Sequence, residues 1–478
     1  AFCGIRIAPR SETRVMAYQP SIFDTYLDEN RDRFLAEFAA FIGQPSVAAD
    51  GRGVLEMAEL VAQRFRELGA DVTLSATNGG PPVVYAEIGP ADAERTLMIY
   101  NHYDVQPEDP LDLWETPPFE MVIKDGKIFG RGTSDDKGEL LSRIQAVEAW
   151  LKTQGELPVR IKWVVEGEEE ISSLNLHDWS ARHADMLDAD GLLWEGAGYD
   201  EAGRPNFGLG CKGIAYFELR CQGPSHDLHS SFAPFVVNPA WRLVWALSTL
   251  KDQEETITVD GYLDHVAPLT DAEWAAIDAL PMEFEAMRER WGIDSWLTGA
   301  DDFHARRRYI SEPTLTISGI HSGYTGAGSK TVLPAEAMVK LDFRLVPDLT
   351  PELAQDLLRQ HLDRRGFTDI SITMLGGEAP AKSPLGSLVE RAAVAASQDA
   401  WQKTPVMFPW FAGSGPMHSL STRLGIPVIF AGATWHPNAR AHSPNENIYV
   451  EDYFRSMQFM GAFIHRFATL PAEVIDSA

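Results

Sequence analysis

The sequence predicts an α/β domain built on a mostly parallel sheet with helices on both faces, into which a smaller α+β domain is inserted. Three observations predict it. Strand-like apolar runs and amphipathic helical runs alternate as far as residue 210, the pattern of a parallel sheet with crossover helices. Beyond residue 210 the pattern changes to longer strands with period-two alternation, as expected of a half-solvated sheet. After residue 378 helix and strand signals of the first kind resume. The expected division is therefore 1–210 and 379–478 for the first domain, and 211–378 for the insert.

In chain order, residues 22–68 carry two amphipathic helical patterns. Phe34, Leu35, Phe38, Phe41 and Ile42 form one apolar stripe; Leu55, Ala58, Leu60, Val61 and Phe65 form a second, stopped by Gly69. TLMIY (96–100) reads as a buried strand. ELLSRIQAVEAWL (139–151) places Leu140, Ile144, Val147 and Leu151 on one helical face. VRIKWVV (159–165) and DGLLW (190–194) read as strands. In the insert, KGIAYFELRC, TLTISGI and AMVKLDFRLV alternate as strands, and PELAQDLLRQHLDRRG is a helix. LGSLVERAAVAAS is a further helix, IPVIFAG a strand, and a last helix lies near 451–467.

A chain of 478 residues is too long for one ordinary domain. Lys+Arg total 41 and Asp+Glu 69, a formal net charge of −28. Such a surface repels phosphate backbones and anionic bilayers, so neither nucleic acid nor membrane is an expected partner. No apolar run of about 18 residues is present. Residues 1–15 lack the apolar core of a secretory signal. The three cysteines, Cys3, Cys211 and Cys221, are too few for a disulfide framework and suit a reducing, cytoplasmic compartment. Cys211 and Cys221 bracket a strand-like run that holds them about 33 Å apart, beyond disulfide reach.

Open α/β sheets bind ligands at the C-terminal ends of their strands, and there this chain concentrates metal-ligand residue types. TLMIY is followed by Asn101-His102-Tyr103-Asp104, and the short strand-like IFG by RGTSDDKG with Asp135 and Asp136. VRIKWVV is followed by Glu166-Gly167-Glu168-Glu169-Glu170, GLLW by Glu195, and IPVIFAG by ARAHSPNE with His442. Singly these are commonplace: a lone histidine is more often structural, and an EGEEE run is usually a solvated helix start. Together they argue for a dinuclear metal centre. Imidazole and carboxylate donors suit zinc and its neighbours. One carboxylate can bridge two ions, and a spare carboxylate can serve as general base.

NHYDVQP, GRGTSDDKG, EGEEE, SHDLHS, LDFRLVP and AHSPNE resemble, in order, the successive motifs of the carnosinase branch of the zinc hydrolases that include aminoacylase, carboxypeptidase G and succinyl-diaminopimelate desuccinylase. The resemblance implies hydrolysis of an amide bond in a dipeptide or N-acyl amino acid. It implies two divalent ions per chain, zinc first, with manganese or cobalt as alternatives. It also implies a homodimer formed through the inserted, lid-like domain. Residue by residue, it implies that His102 binds one ion with Asp104 orienting it, and that Asp135 bridges both from a cis Asp135–Asp136 bond. Glu195 then completes the first site, Glu170 and His442 form the second, and Glu169 is the general base. His229 matches a histidine that stabilises the oxyanion in the partner's active site. Arg344 matches an arginine on the substrate carboxylate, and Ser414 a substrate-contacting serine. Asp136 fits better as a neighbour than as a ligand. His436 competes with His442 and His226 with His229; the SPNE and SHDLHS contexts favour the second of each pair.

One loop departs from the branch. Where many relatives carry Arg-Glu-Gly-Gly-Ser-Ile-Pro, this chain has Trp410-Phe411-Ala412-Gly413-Ser414-Gly415-Pro416. A charge pair has become an aromatic pair, so a more apolar substrate pocket is expected. The rival readings are an N-deacylase or carbamoyl-amino-acid amidohydrolase, which shares the chemistry, and a non-catalytic binding protein on the same fold. No Gly-x-Ser-x-Gly and no His-Glu-x-x-His occurs, so neither a serine elbow nor a helix-borne zinc site is supported.

Overall fold

The structure, a computed structural model, describes residues 18–432 and 434–472. The expectations for Cys3 and for residues 1–15 lie outside the described residues. The larger sheet runs in the order Asp71–Ser75, Val83–Ile88, Arg160–Glu166, Thr96–His102, Gly191–Trp194, Val428–Phe430, Asn206–Gly208, Val406–Phe408. Its middle four strands pair parallel. Val83–Ile88 and Asn206–Gly208 flank that block antiparallel.

These strands are legible as continuous apolar runs because both faces are covered. Leu97, Ile99, Ile161, Trp163 and Val165 face one core, and the intervening Met98, Tyr100 and Val164 face another. The first core is closed by helices including Arg31–Gly43, Lys137–Thr153, Leu388–Trp401 and Val450–Thr469. The second is closed partly by Leu176–Arg182, through Leu176 and Trp179. No helix among the described residues is long and apolar enough to cross a membrane.

Two helical expectations need correction. The stretch read as two helices holds three, Pro20–Glu29, Arg31–Gly43 and Val54–Leu68. In the third, Val54, Met57, Ala58, Val61, Ala62 and Phe65 are buried, while Leu55 is 61% exposed. The stripe therefore starts at Val54 and follows the i, i+3, i+4 spacing from there. Gly69 ends this helix in the left-handed region, at φ 92°. The Lys137–Thr153 helix is buried nearly all round, not on one face. It lies between the sheet and the Arg31–Gly43 and Val450–Thr469 helices, so periodicity alone understates its burial.

The inserted unit is a four-stranded antiparallel sheet in the order Thr314–Ser322, Glu336–Leu345, Gly213–Gln222, Ile370–Glu378. Ala215, Phe217, Leu219, Val339, Leu341 and Phe343 alternate onto its own core, under helices Pro239–Leu247 and Pro351–Arg364. The chain leaves and re-enters the larger unit at one place, where Gly210–Cys211 pairs with Ala381–Lys382. Cys211 and Cys221 are both free thiols.

The contact between the N-terminal helices and the last helix can be tested at Phe38. Its buried ring stacks on Tyr453 with centroids 4.6 Å apart. Phe38→Ala should cost about 3–5 kcal/mol, read as a lower urea midpoint at unchanged slope. A loss below about 1 kcal/mol would mean that the helices repack without it.

Candidate metal centre

Neighbouring strand ends deliver the site. Thr96–His102 ends on His102, Arg160–Glu166 on its register partner Glu166, and Gly191–Trp194 one residue before Glu195. Asp135 and Asp136 immediately precede the Lys137–Thr153 helix, and the peptide bond between them is cis, as expected. His442 lies on the loop after Val428–Phe430.

Asp135 sits between two imidazoles. His102 Nε2 is 3.0 Å from Asp135 Oδ1, and His442 Nε2 is 2.9 Å from Asp135 Oδ2. His442 Nε2 is also 3.1 Å from Glu170 Oε2. Donor atoms of His102, Asp135 and Glu195 lie within 4.8 Å of one another, as do those of Asp135, Glu170 and His442. The five residues expected as ligands thus come together as two triplets that share Asp135. Glu169 lines the adjoining cavity and belongs to neither triplet.

Asp104 does more than the sequence implied. His102 Nδ1 donates to the Asp104 carbonyl at 3.1 Å, with Asp104 Oδ1 at 3.3 Å, which leaves Nε2 toward Asp135. The same carboxylate accepts the backbone N–H of Glu169 at 3.2 Å and of Glu170 at 3.0 Å. One side chain therefore orients the imidazole of one strand end and the turn after the next. Gln106 Nε2 donates to Glu170 Oε2 at 2.8 Å and holds that carboxylate. Gly167 is required in this turn: a Cβ there would lie 2.4 Å from the Tyr103 ring.

Glu446 was not singled out from the sequence, although it ends the AHSPNE motif. It is fully buried and accepts N–H groups from Gly132, Ser134 and Asp135 at 2.9, 2.7 and 3.0 Å. It also takes the Ser134 hydroxyl at 2.8 Å and Arg131 Nη1 at 2.7 Å. It thereby shapes the loop that presents Asp135. Asp136 is a positioning neighbour, accepting from Asn101 Nδ2 at 2.8 Å and from the His102 N–H at 3.0 Å. It also falls with Glu139 and Glu195 in a third group of close carboxylates, where Glu139 pairs with Arg143 at 3.2 Å. His436 is tied to Asn447 at 2.9 Å and stays outside the cluster.

The electrostatics point to cations. Burial pushes the Glu195 carboxyl well above its usual range, with Asp136 adding to it. Burial pushes Glu169 up to about 7, outweighing His102, with Asp135 and Glu170 adding. Burial lowers the His102 imidazole, yet Asp104 and Asp135 hold it well above its usual range. Hydrogen bonds to Asp135 and Glu170 hold His442 up to about 10. The donors are imidazole nitrogens and carboxylate oxygens, without thiolate, and carry excess buried negative charge. That set fits divalent ions of the zinc, manganese and cobalt kind.

A cavity of about 370 Å³ adjoins the triplets and is lined by Asp135, Glu169, Glu195 and His442 together with Phe411 and Ser414. Arg344, on the inserted sheet, donates from Nη1 to Ser414 Oγ at 2.9 Å, so these two expected substrate residues also meet. His229 does not reach the cluster. It is exposed on the insert, its Nδ1 2.9 Å from Ser231 Oγ, and the described cavity lining does not include it. The expected aromatic pair is split. Phe411 lines the cavity, but Trp410 is buried with Ile277, Leu280 and Ile310, donating to the Ile310 carbonyl at 2.8 Å. The chain bends at Pro409 and Trp410, after the Val406–Phe408 strand, and the two rings part there.

Comparison with known proteins gives a matching picture. Residues 98–466 match Peptidase family M20/M25/M40. The Cys-Gly metallodipeptidase DUG1 of Candida albicans is 30% identical, over 93% of this chain and 96% of that protein. The Beta-Ala-His dipeptidase of Rattus norvegicus is 27% identical, over 92% and 93%. Among solved structures, the M20 family metallo-carboxypeptidase Sso-CP2 of Sulfolobus solfataricus superposes with a TM-score of 0.85 at 37% identity, covering 91% of this chain and 99% of that one. Human carnosine dipeptidase 1 gives a TM-score of 0.75 at 26% identity, covering 94% and 99%.

The double duty of Asp104 can be tested by Asp104→Asn. An amide presents one carbonyl oxygen to two N–H groups and turns an NH₂ toward the other. Metal affinity, read by calorimetric titration, should fall about 10–100-fold. Unchanged affinity would show that the turn is held by its other contacts.

Proposed function

This chain belongs to Peptidase family M20/M25/M40 and is a metal-dependent peptidase; from that premise we propose that it hydrolyses the amide bond of a dipeptide or N-acyl amino acid beside a free carboxylate. The observation that carries this reading is the pair of triplets sharing Asp135, with the spare carboxylate of Glu169 facing the same cavity. His102, Asp135 and Glu195 would hold one divalent ion, and Asp135, Glu170 and His442 the other; zinc is the first choice, with manganese or cobalt as alternatives. Bound there, the ions polarise the scissile carbonyl and lower the pKa of water.

The protein's own groups do the rest. Glu169 takes the proton of the attacking water on its carboxylate and returns it to the leaving nitrogen. Its place in the cavity wall, outside both triplets, leaves its oxygens free for both halves of that transfer. Arg344 pairs with the substrate carboxylate, with Ser414 beside it. The names of the DUG1 and Beta-Ala-His relatives support dipeptides, and the metallo-carboxypeptidase supports recognition of a terminal carboxylate. The two buried free thiols suit a cytoplasmic location.

The insert has an uncovered apolar face. Trp241, Val244 and Trp245 on the Pro239–Leu247 helix are exposed, as are Ile317 and Ile320 on the edge strand Thr314–Ser322. An apolar patch beside an unpaired strand edge suits a second copy of the chain. In the proposed homodimer, His229 of one subunit serves the cleft of its partner and donates to the oxyanion.

Two experiments test this function. Glu169→Gln should lower kcat about 10²–10⁴-fold while elemental analysis still finds two ions per chain. Loss of metal would exchange the roles of Glu169 and Glu170, and a saturating stoichiometry of one would end the dinuclear reading. For the dimer, His229→Ala and Glu169→Gln should each be nearly inactive alone. Mixed in equal amounts and allowed to exchange subunits, they should recover about a quarter of wild-type activity. Sedimentation as a monomer would instead place His229 in its own chain's site.

A further inference from the structure

An arginine is costly to bury, and Arg143 is only 3% exposed. It stands on the Lys137–Thr153 helix, one turn after Glu139, which is also buried and 3.2 Å away. Its guanidinium reaches the C-terminal ends of three neighbouring parallel strands. Nη1 donates to the Tyr100 carbonyl at 3.1 Å and to Asn101 Oδ1 at 3.3 Å. Nη2 donates to the Trp194 carbonyl at 2.7 Å and to the Ala431 carbonyl at 3.3 Å. A planar fork can meet four acceptors at fixed angles, which a lysine ammonium on one flexible stem cannot.

The pair brackets one expected ligand. Trp194, before Glu195, is held through its carbonyl by Arg143, and Gly196, after it, gives its N–H to Glu139 Oε2. Glu195 therefore leaves the sheet with the peptide groups on both sides fixed by one turn of one helix. A Cβ at Gly432 would press on Glu139 Oε1, so the chain beyond the third strand end comes as close as glycine permits.

His102 is reached in two steps. Arg143 fixes the Asn101 carboxamide by its oxygen, which turns Nδ2 toward Asp136 Oδ2 at 2.8 Å. The same Asp136 oxygen takes the His102 N–H at 3.0 Å. His102 and Glu195 are the two members of the first triplet that are not shared with the second. In the second triplet, Glu170 is held instead by Asp104 and Gln106.

Resting on the two-ion reading above, we propose that Arg143, braced by Glu139, is a positioning residue for the first ion. It sets Glu195 and His102 in place in advance, so the affinity of that ion depends on it and the affinity of the second does not.

Arg143→Lys keeps the charge and loses the fork. Metal-free protein is titrated with cobalt(II), and binding is read by calorimetry and by the visible spectrum. The wild type should take two ions. In Arg143→Lys one ion should bind as in the wild type and the other about 10–100-fold more weakly. The spectrum of the protein holding only the tighter ion should match that of Glu195→Gln, whose first site is impaired, and not that of Glu170→Gln. Should Arg143→Lys fail to fold, Arg143→Met combined with Glu139→Gln removes both charges together and leaves no unpaired ion in the interior; the same loss at one ion is expected. Equal weakening of both ions, unchanged affinity for both, or a residual spectrum matching Glu170→Gln overturns the proposal. A wild type that saturates at one ion ends the two-ion reading, and the affinity of that ion in Arg143→Lys then decides the role of Arg143 by itself: an unchanged value overturns it.

Discussion

A buried carboxylate shared by two imidazoles, Asp135 between His102 and His442, is the constraint that the surrounding structure serves. Such a group is unstable in a dry interior unless positive charge and hydrogen bonds compensate it. Its backbone is anchored through Glu446, itself neutralised by Arg131. Its imidazole partners arrive from a strand end and a distant loop. Asp104 then ties the next strand's turn to the same point, which sets Glu170 beside His442 and leaves Glu169 free.

The inserted unit meets this centre from outside. Its Arg344 reaches Ser414 on a loop of the larger unit. Trp410, next door, is captured by the Asp302–Ser311 helix through the Ile310 carbonyl. The same short loop thus anchors the insert with one aromatic ring and lines the cleft with the next. That arrangement links the position of the insert to the shape of the cleft.

Much of this was legible in the chain itself. Strands buried on both faces must be continuously apolar, so TLMIY and VRIKWVV declared themselves, and residues with donor atoms at their ends marked the site. The Val54–Leu68 stripe was read from Leu55 when it begins at Val54, because several apolar residues fall near the boundary and only contact with the sheet chooses among them. Glu446 was missed because a loop glutamate ordinarily points to water; its partner Asp135 lies 311 residues away.

Residue type and spacing by themselves determined the fold class and marked strand ends rich in metal-donor residues, while the roles of ligand and base came from the family resemblance. Strand periodicity and metal-donor chemistry are local properties that survive without knowledge of contacts. Tertiary structure alone decided the roles that depend on direction and on distant partners. It assigned Asp104 to the His102 imidazole and the Glu169–Glu170 turn at once, brought Glu446 to the Asp135 loop, and sent Trp410 and Phe411 to opposite sides. Side-chain direction in an extended or looped segment is set by what it pairs and packs against, and those partners lie far away in the chain.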